Sequence, residues 1–274
     1  MPHRFLLALI VLLSAPGLAC ADTYRRADGV MVDAKVLDAR GCAPLAIISH
    51  GLGGSLSGNA ALAGALNRAG YRVVVPSHPE SGRDLLRKAF MGGRARVARA
   101  AADPKLLQAR IDDVTAILDS EMRRCAVPFK VLAGHSMGSR TVNIEAGASN
   151  GANLRGRDRF DAYISISPLG EGGSGMFPPG AYSGIRKPML MITGTQDQSV
   201  DGGYETRLSA FEGLAPGRKR LAVIEGARHA PLGGSGEASV GTMVGVIAVE
   251  FLRQIRPGPW GPPGRRAGVT FAEK

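Results

Sequence analysis

The sequence predicts an α/β protein, built on a mostly parallel central sheet with helices on both faces. Three observations lead there. Apolar runs of strand length alternate with amphipathic helical stretches from residue 44 to residue 255. Several of these runs are continuously apolar, as strands covered on both faces must be. A Gly-x-Ser-x-Gly pattern also lies between one such run and a helical stretch.

The elements follow in chain order. Residues 24–38, with Tyr24, Val30, Val32 and Val36, are expected to form an antiparallel leading hairpin. Strands are expected at Pro44–Ser49, Tyr71–Pro76, Phe129–Ala133, Ala162–Ser167, Pro188–Thr193 and Lys219–Glu225. Asn59–Ala69 reads as a helix through Leu62 and Leu66. Pro104–Arg123 does so through Leu107, Ile111, Val114 and Leu118 at helical spacing. Ser136–Ala148 follows a strand directly, and Gly241–Ile255 is apolar on one face. The basic stretch 80–103, with Arg83, Leu85, Leu86, Phe90, Met91, Arg94 and Arg96, reads equally well as a small cap or as a solvated helix. Residues 168–186 form a long Gly- and Pro-rich loop, of the kind that is functional or mobile in compact domains. The tail from Pro257 to Gly268, with Pro257, Pro259, Pro262 and Pro263, cannot be helix or central strand and is expected to be an extended strap or a disordered end.

The chain has 274 residues, 45% apolar and 21% charged, enough for one domain with a real core or two small ones. Arg4 precedes the apolar run Phe5–Leu13. Ser14, Pro16 and Gly17 then break it, and Ala19-Cys20-Ala21 is a small-x-small site. This reads as a secretory signal peptide, with a mature chain from Asp22 that is exported, periplasmic or extracellular. The alternatives are a membrane anchor, for which the run is short, and a lipoprotein signal ending at Cys20, which Gly17-Leu18-Ala19 fits poorly. No other segment is expected to cross a membrane. The formal charge is +11, of which the signal would remove only Arg4. Without a nucleic-acid motif and with 5% aromatics, the excess reads as surface solvation or weak adhesion to anionic envelope surfaces rather than nucleic-acid binding.

The chemistry centres on Gly134-His135-Ser136-Met137-Gly138. The pattern alone is weak, and its setting strengthens it. Val131-Leu132-Ala133 precedes it as a buried-type strand, and Thr141-Val142-Asn143-Ile144 continues it as helix. Such a strand-turn-helix elbow needs glycine on either side and exposes the serine hydroxyl, with the Met137 amide aimed at a developing oxyanion. A hydroxyl needs a base. His229, after the last apolar strand, stands at the carboxyl edge of the sheet and is the expected base. Asp197, in Gly194-Thr195-Gln196-Asp197, is the expected carboxylate behind it, with Asp201 as competitor. His50-Gly51-Leu52-Gly53-Gly54 follows an earlier central strand, and the Leu52 amide is assigned as second oxyanion donor. That loop has neither P-loop ending nor dinucleotide spacing, so no nucleotide is expected. No Cys/His cluster has metal-ligand spacing, and no metal or cofactor is expected. His50, Gly51, His78, His135, Met176 and Phe177 are expected around the substrate.

Several motifs together carry a resemblance. They are Ser49-His50-Gly51-Leu52-Gly53-Gly54, Gly70-Tyr71-Arg72-Val73-Val74-Val75-Pro76-Ser77-His78-Pro79, the elbow, Gly194-Thr195-Gln196-Asp197 and Gly226-Ala227-Arg228-His229. From about residue 25 to 255 the chain resembles the dienelactone hydrolase-like branch of the α/β-hydrolases, which includes secreted bacterial carboxylesterases. The resemblance implies an α/β-hydrolase fold over residues 22–256, between the signal (1–21) and the tail (257–274). Dienelactone hydrolases use cysteine where this chain has Ser136, which argues for ordinary esters. The fold would make the strands at 44–49 and 129–133 parallel neighbours, bringing Cys42 and Cys125 together at the opposite edge in a disulfide. The expected function is hydrolysis of small carboxylic esters, of short to medium acyl chain, by Ser136, His229 and Asp197. A lipase or polyester depolymerase of the same fold is the first rival. A peptidase would carry a large extra domain, and a non-catalytic binding protein would not need all three residues.

Overall fold

The computed structural model describes residues 19–172, 176–256 and 258–274. Its strands are β1 (Ala19–Arg25), β2 (Met31–Leu37), β3 (Leu45–Ser49), β4 (Arg72–Pro76), β5 (Lys130–His135), β6 (Ala162–Ile166), β7 (Met189–Gln196), β8 (Lys219–Arg228) and β9 (Val269–Glu273). They form one sheet in the order β1-β2-β4-β3-β5-β6-β7-β8-β9. β3 to β8 are parallel to one another, while β1, β2 and β9 run antiparallel to their neighbours.

The continuous apolar runs are explained by two cores. Leu45, Ile47, Val74 and Leu132 face one side of the sheet, where α4 (Pro104–Arg124), α5 (Met137–Glu145) and α6 (Tyr204–Glu212) pack. Ala46, Ile48, Val73 and Val131 face the other, where α1 (Ala60–Arg68) and α8 (Ala238–Ile255) pack. Successive strand residues point to opposite faces, so a strand buried on both must be apolar throughout. Each fully buried Leu, Ile or Val contributes about 1.5–3 kcal/mol. α4 starts where the sequence says it should: Pro104 is its first residue, and the Asp103 carboxylate accepts from the Lys105 and Leu106 amides. α2 (Arg83–Phe90) and α3 (Arg94–Ala101) fill the basic stretch as two short helices, and α7 (His229–Leu232) is one turn.

Four features depart from or extend the sequence reading. α8 is long and apolar enough to cross a membrane by length and composition, contrary to the expectation that nothing beyond the leader is. Here Val244, Ile247, Phe251 and Leu252 pack it against the sheet and α1. β1 begins at Ala19, so cleavage after Ala21 would leave a strand of Asp22–Arg25; the apolar run Phe5–Leu13 lies outside the described residues. Beyond the tail stretch read as a strap, the last residues return as β9 along β8, with Val269 opposite Ile224 and Phe271 opposite Ala222. Finally, β3 and β5 pair in register from Leu45 opposite Lys130 to Ser49 opposite Gly134. That register joins Cys42 to Cys125 at one end of the two strands, with Cα atoms 5.6 Å apart, and sets the loop after β3 against the elbow at the other.

Candidate active site

The elbow follows directly from its glycines. A Cβ on Gly134 would lie 2.3 Å from the Gly138 carbonyl oxygen, and one on Gly138 would lie 2.0 Å from that of Ser49. Only glycine lets β5, α5 and the end of β3 approach so closely. Ser136 between them is forced to φ 56°, ψ −116°, a strained conformation for a residue with a side chain. Its amide donates to the Ile166 carbonyl at 3.0 Å, which ties the elbow to β6. Such strain costs about 1–3 kcal/mol and persists because the sheet register and the helix over-determine it.

The structure brings Ser136, His229 and Asp197 together. The Ser136 hydroxyl lies 3.0 Å from Nε2 of His229, and Nδ1 of the same ring lies 2.7 Å from Oδ1 of Asp197. β7 and β8 deliver the acid and the base from their carboxyl ends, across a bulge at Gly194–Gln196. Asp197 is wholly buried, and its second oxygen accepts from the Thr193 hydroxyl at 2.9 Å. The buried Arg207 guanidinium stands 3.8 Å from that oxygen. Burial alone would raise the Asp197 carboxyl. The His229 hydrogen bond and charge, the Arg207 charge and the Ser167 hydroxyl outweigh it and hold the group below the ordinary carboxylate range. Asp201, the competitor, is ion-paired with buried Arg140 instead.

The loop after β3 lies against the nucleophile: a Cβ on Gly51 would touch Cβ of Ser136 at 3.4 Å. Among the described residues, the Leu52 and Met137 amides make no backbone hydrogen bond outside the regular helices and strands. A buried cation fixes this loop. Arg110, on α4, donates to the carbonyls of His50 (2.5 Å) and Gly51 (3.3 Å) and to the hydroxyls of Ser49 (3.1 Å) and Ser81 (2.8 Å). Burial pulls its guanidinium down to about 9, with the Asp113 charge acting the other way.

A cavity of about 430 Å³ opens beside Ser136. His50, Gly51, Leu52, His135 and His229 line its floor, and Leu86, Phe90, Val97, Ala101 and Val200 give it an apolar wall. The basic stretch 80–103 is therefore a cap over the site. The His135 ring packs 4.8 Å from the His229 ring and its Nε2 meets the His229 carbonyl at 2.9 Å, so it braces the base. Three expected lining residues fall elsewhere. Met176 and Phe177 are buried in the core around α5 and α6, where Phe177 packs on Tyr182 at 5.2 Å. His78 is fully buried beneath the loop, with Nε2 2.8 Å from the Ser49 hydroxyl and Nδ1 2.8 Å from Asp113. That Ser49-His78-Asp113 chain repeats the triad's order but all three side chains are fully buried, and it ties β3, β4 and α4 together.

Ser167, Thr193, Arg207 and Arg110 complete the site and escaped the sequence reading. Ser167 could have been found: it directly follows β6, the strand adjoining the elbow strand, at the catalytic edge. Among the described residues, no group of three His, Cys, Asp or Glu side chains is placed to hold a metal ion.

No protein family matches the chain by its sequence model, and no curated protein matches it by sequence. Solved structures do match. The dienelactone hydrolase of Anabaena variabilis is similar at a TM-score of 0.63 and 19% identity, over 87% of this chain and 98% of that one. The esterase Pf2001 of Pyrococcus furiosus is similar at 0.61 and 15% identity, over 92% and 98%. Est1E of Butyrivibrio proteoclasticus is similar at 0.58 and 19% identity, over 85% and 99%. The likeness covers nearly the full length of each neighbour.

Proposed function

We propose, for a chain that has the α/β-hydrolase fold, that it is a serine hydrolase cleaving carboxylic esters. The observation that carries this is the unbroken relay from the Ser136 hydroxyl through His229 to buried Asp197, at 3.0 and 2.7 Å, beside an apolar cavity. The names of the similar structures, a dienelactone hydrolase and two esterases, support the same class.

In this reading Nε2 of His229 accepts the hydroxyl proton as Ser136 Oγ bonds to the ester carbonyl carbon. The electron pair moves to the carbonyl oxygen, which the Leu52 and Met137 amides receive. As the tetrahedral centre collapses, the alkoxide leaves with the proton from His229. A water then gives its proton to the same nitrogen, attacks the acyl-serine and releases the acid. Asp197, held anionic, keeps Nδ1 protonated and stabilises the imidazolium. The apolar wall of Leu86, Phe90, Val97 and Val200 suits a short to medium acyl chain. The Cys42–Cys125 bond supports an oxidising compartment, in keeping with the leader read in the sequence.

The test is hydrolysis of p-nitrophenyl esters from acetate to palmitate by wild type and Ser136→Ala. Activity on the shorter chains, reduced about 10⁴-fold or more in the variant, is the expected result. A wild type inert on every ester, or an equally active variant, overturns the reading.

A further inference from the structure

The cap carries more than a cavity wall. Phe90 is 64% and Met91 86% exposed, adjacent in sequence where α2 turns through Gly92-Gly93 into α3. Among the described residues the other exposed large apolar side chains are Met31, Met122 and Val246, each less exposed than Phe90 and none with a similar neighbour in sequence. Along α2 and α3, on either side of the pair in sequence, lie six exposed cations, Arg83, Arg87, Lys88, Arg94, Arg96 and Arg99, against one exposed acid, Asp84. Phe90 is also a wall of the cavity beside Ser136. An apolar tip between two helices rich in exposed guanidinium and ammonium groups is complementary to a bilayer surface that offers phosphates outside and acyl chains just beneath. A solvated helix would need the cations but would gain nothing from an exposed phenylalanine and methionine at its tip.

We propose that the α2–α3 tip seats on an anionic phospholipid bilayer, with Phe90 and Met91 at the headgroup–acyl boundary and the α2 and α3 cations on lipid phosphates. The cavity mouth then opens at the interface, so that the preferred substrates are esters partitioned into or lying on that surface. The docking stands on the cap alone. The delivery of ester rests on the serine-hydrolase reading, and the two are separable by experiment.

Ser136→Ala protein, which cannot hydrolyse lipid in that reading, is sedimented with vesicles of phosphatidylglycerol and phosphatidylcholine in equal parts, and with phosphatidylcholine alone. Binding to the first, weakened by salt, and much weaker binding to the second are expected. Each cation near an anionic surface is worth roughly five-fold in partition. The triple change Arg87→Gln, Lys88→Gln, Arg96→Gln should therefore cost about 100-fold, and Met91→Ser about ten-fold. With Ser136 intact, both sets should hydrolyse dissolved p-nitrophenyl acetate at the wild-type rate, which shows they are folded and leaves the chemistry out of the comparison. Met91→Trp should shift its emission to the blue with the anionic vesicles and not with phosphatidylcholine. Equal binding by the triple variant, no binding to anionic vesicles, or retention on heparin without any emission shift overturns the proposal.

Discussion

The Ser167 hydroxyl lies 2.9 Å from Nδ1 of His229, the same nitrogen that stands 2.7 Å from Asp197. One N–H cannot serve both oxygens fully. It donates to the carboxylate, and the Ser167 hydroxyl is left to donate to Asp197, whose carboxyl it helps to lower. Ser167 is itself held at φ 53° by its amide, which donates to the Ile192 carbonyl at 2.7 Å. It is thus a positioning residue fixed by the β6–β7 pairing.

Removing that hydroxyl should loosen the base without touching substrate. Ser167→Ala is expected to lower kcat about ten-fold, the equivalent of one charge-assisted hydrogen bond of roughly 1.4 kcal/mol, and to leave KM within two-fold. Steady-state kinetics on p-nitrophenyl butyrate decide it. An unchanged kcat would mean that Asp197 and the sheet orient His229 unaided.

Arg110 should matter to both rate and stability. It supplies donors to two carbonyls of the loop carrying Leu52 and is fully buried. Arg110→Met leaves those carbonyls without their buried donor, at a cost of about 3 kcal/mol or more, while Asp113 keeps Arg26 and His78. If the loop then relaxes away from Ser136, kcat should fall roughly 100-fold with KM little changed, the signature of a lost oxyanion donor. Arg110→Lys should recover part of the stability and little of the rate, because an ammonium cannot span both carbonyls. Thermal unfolding and kinetics on the same preparations separate the two effects; a rise in KM alone would place Arg110 in substrate binding instead.

The disulfide closes 83 residues of sequence between Cys42 and Cys125. Loop-closure entropy sets its stabilisation at about 4–5 kcal/mol, against about 2–4 in typical measurements. Cys42→Ser with Cys125→Ser should lower the urea midpoint accordingly and leave the esterase rate within two-fold, since the bridge lies at the sheet edge remote from Ser136. Mass spectrometry of the oxidised protein should find no free thiol at either position, and two free thiols would overturn the pairing.

Much of this was legible because the strands are buried on both faces. Runs such as Ala46-Ile47-Ile48 admit few other readings, and an elbow flanked by strand and helix fixes where the nucleophile stands. The edge logic that placed His229 and Asp197 also placed His78, wrongly. Its backbone takes a left-handed φ of 48°, turning the ring under the loop toward Asp113, 35 residues on. Nothing in a loop's composition says which of its apolar residues turn inward, so Met176 and Phe177 read as substrate contacts when they are core. β9 was hidden for a related reason: five residues after a proline-rich strap gain strand character only from the exposed edge of β8.

Acid should unfold the protein through its buried histidines. His50 and His135 are each lowered to about 3, chiefly by burial and then by His78 and by His229 respectively. His78 is also held well below the ordinary imidazole range, by burial and the charges of Arg110 and Arg26. All three therefore fold neutral, while the unfolded chain protonates them below about 6.5. Where the unfolded state binds more protons, stability falls as pH falls. Asp113 works in the opposite sense: burial raises its carboxyl to about 6, so between about 4 and 6 the folded state holds the extra proton. Three histidines against one carboxyl leave about two net protons taken up on unfolding near pH 5, a slope of roughly 2.7 kcal/mol per pH unit. Urea unfolding should show stability nearly constant from pH 8 to 7 and falling steeply from 6.5 to 5. A profile flat across that window would mean that the three rings are charged in the folded protein, and with them the neutral floor beneath the loop would be lost.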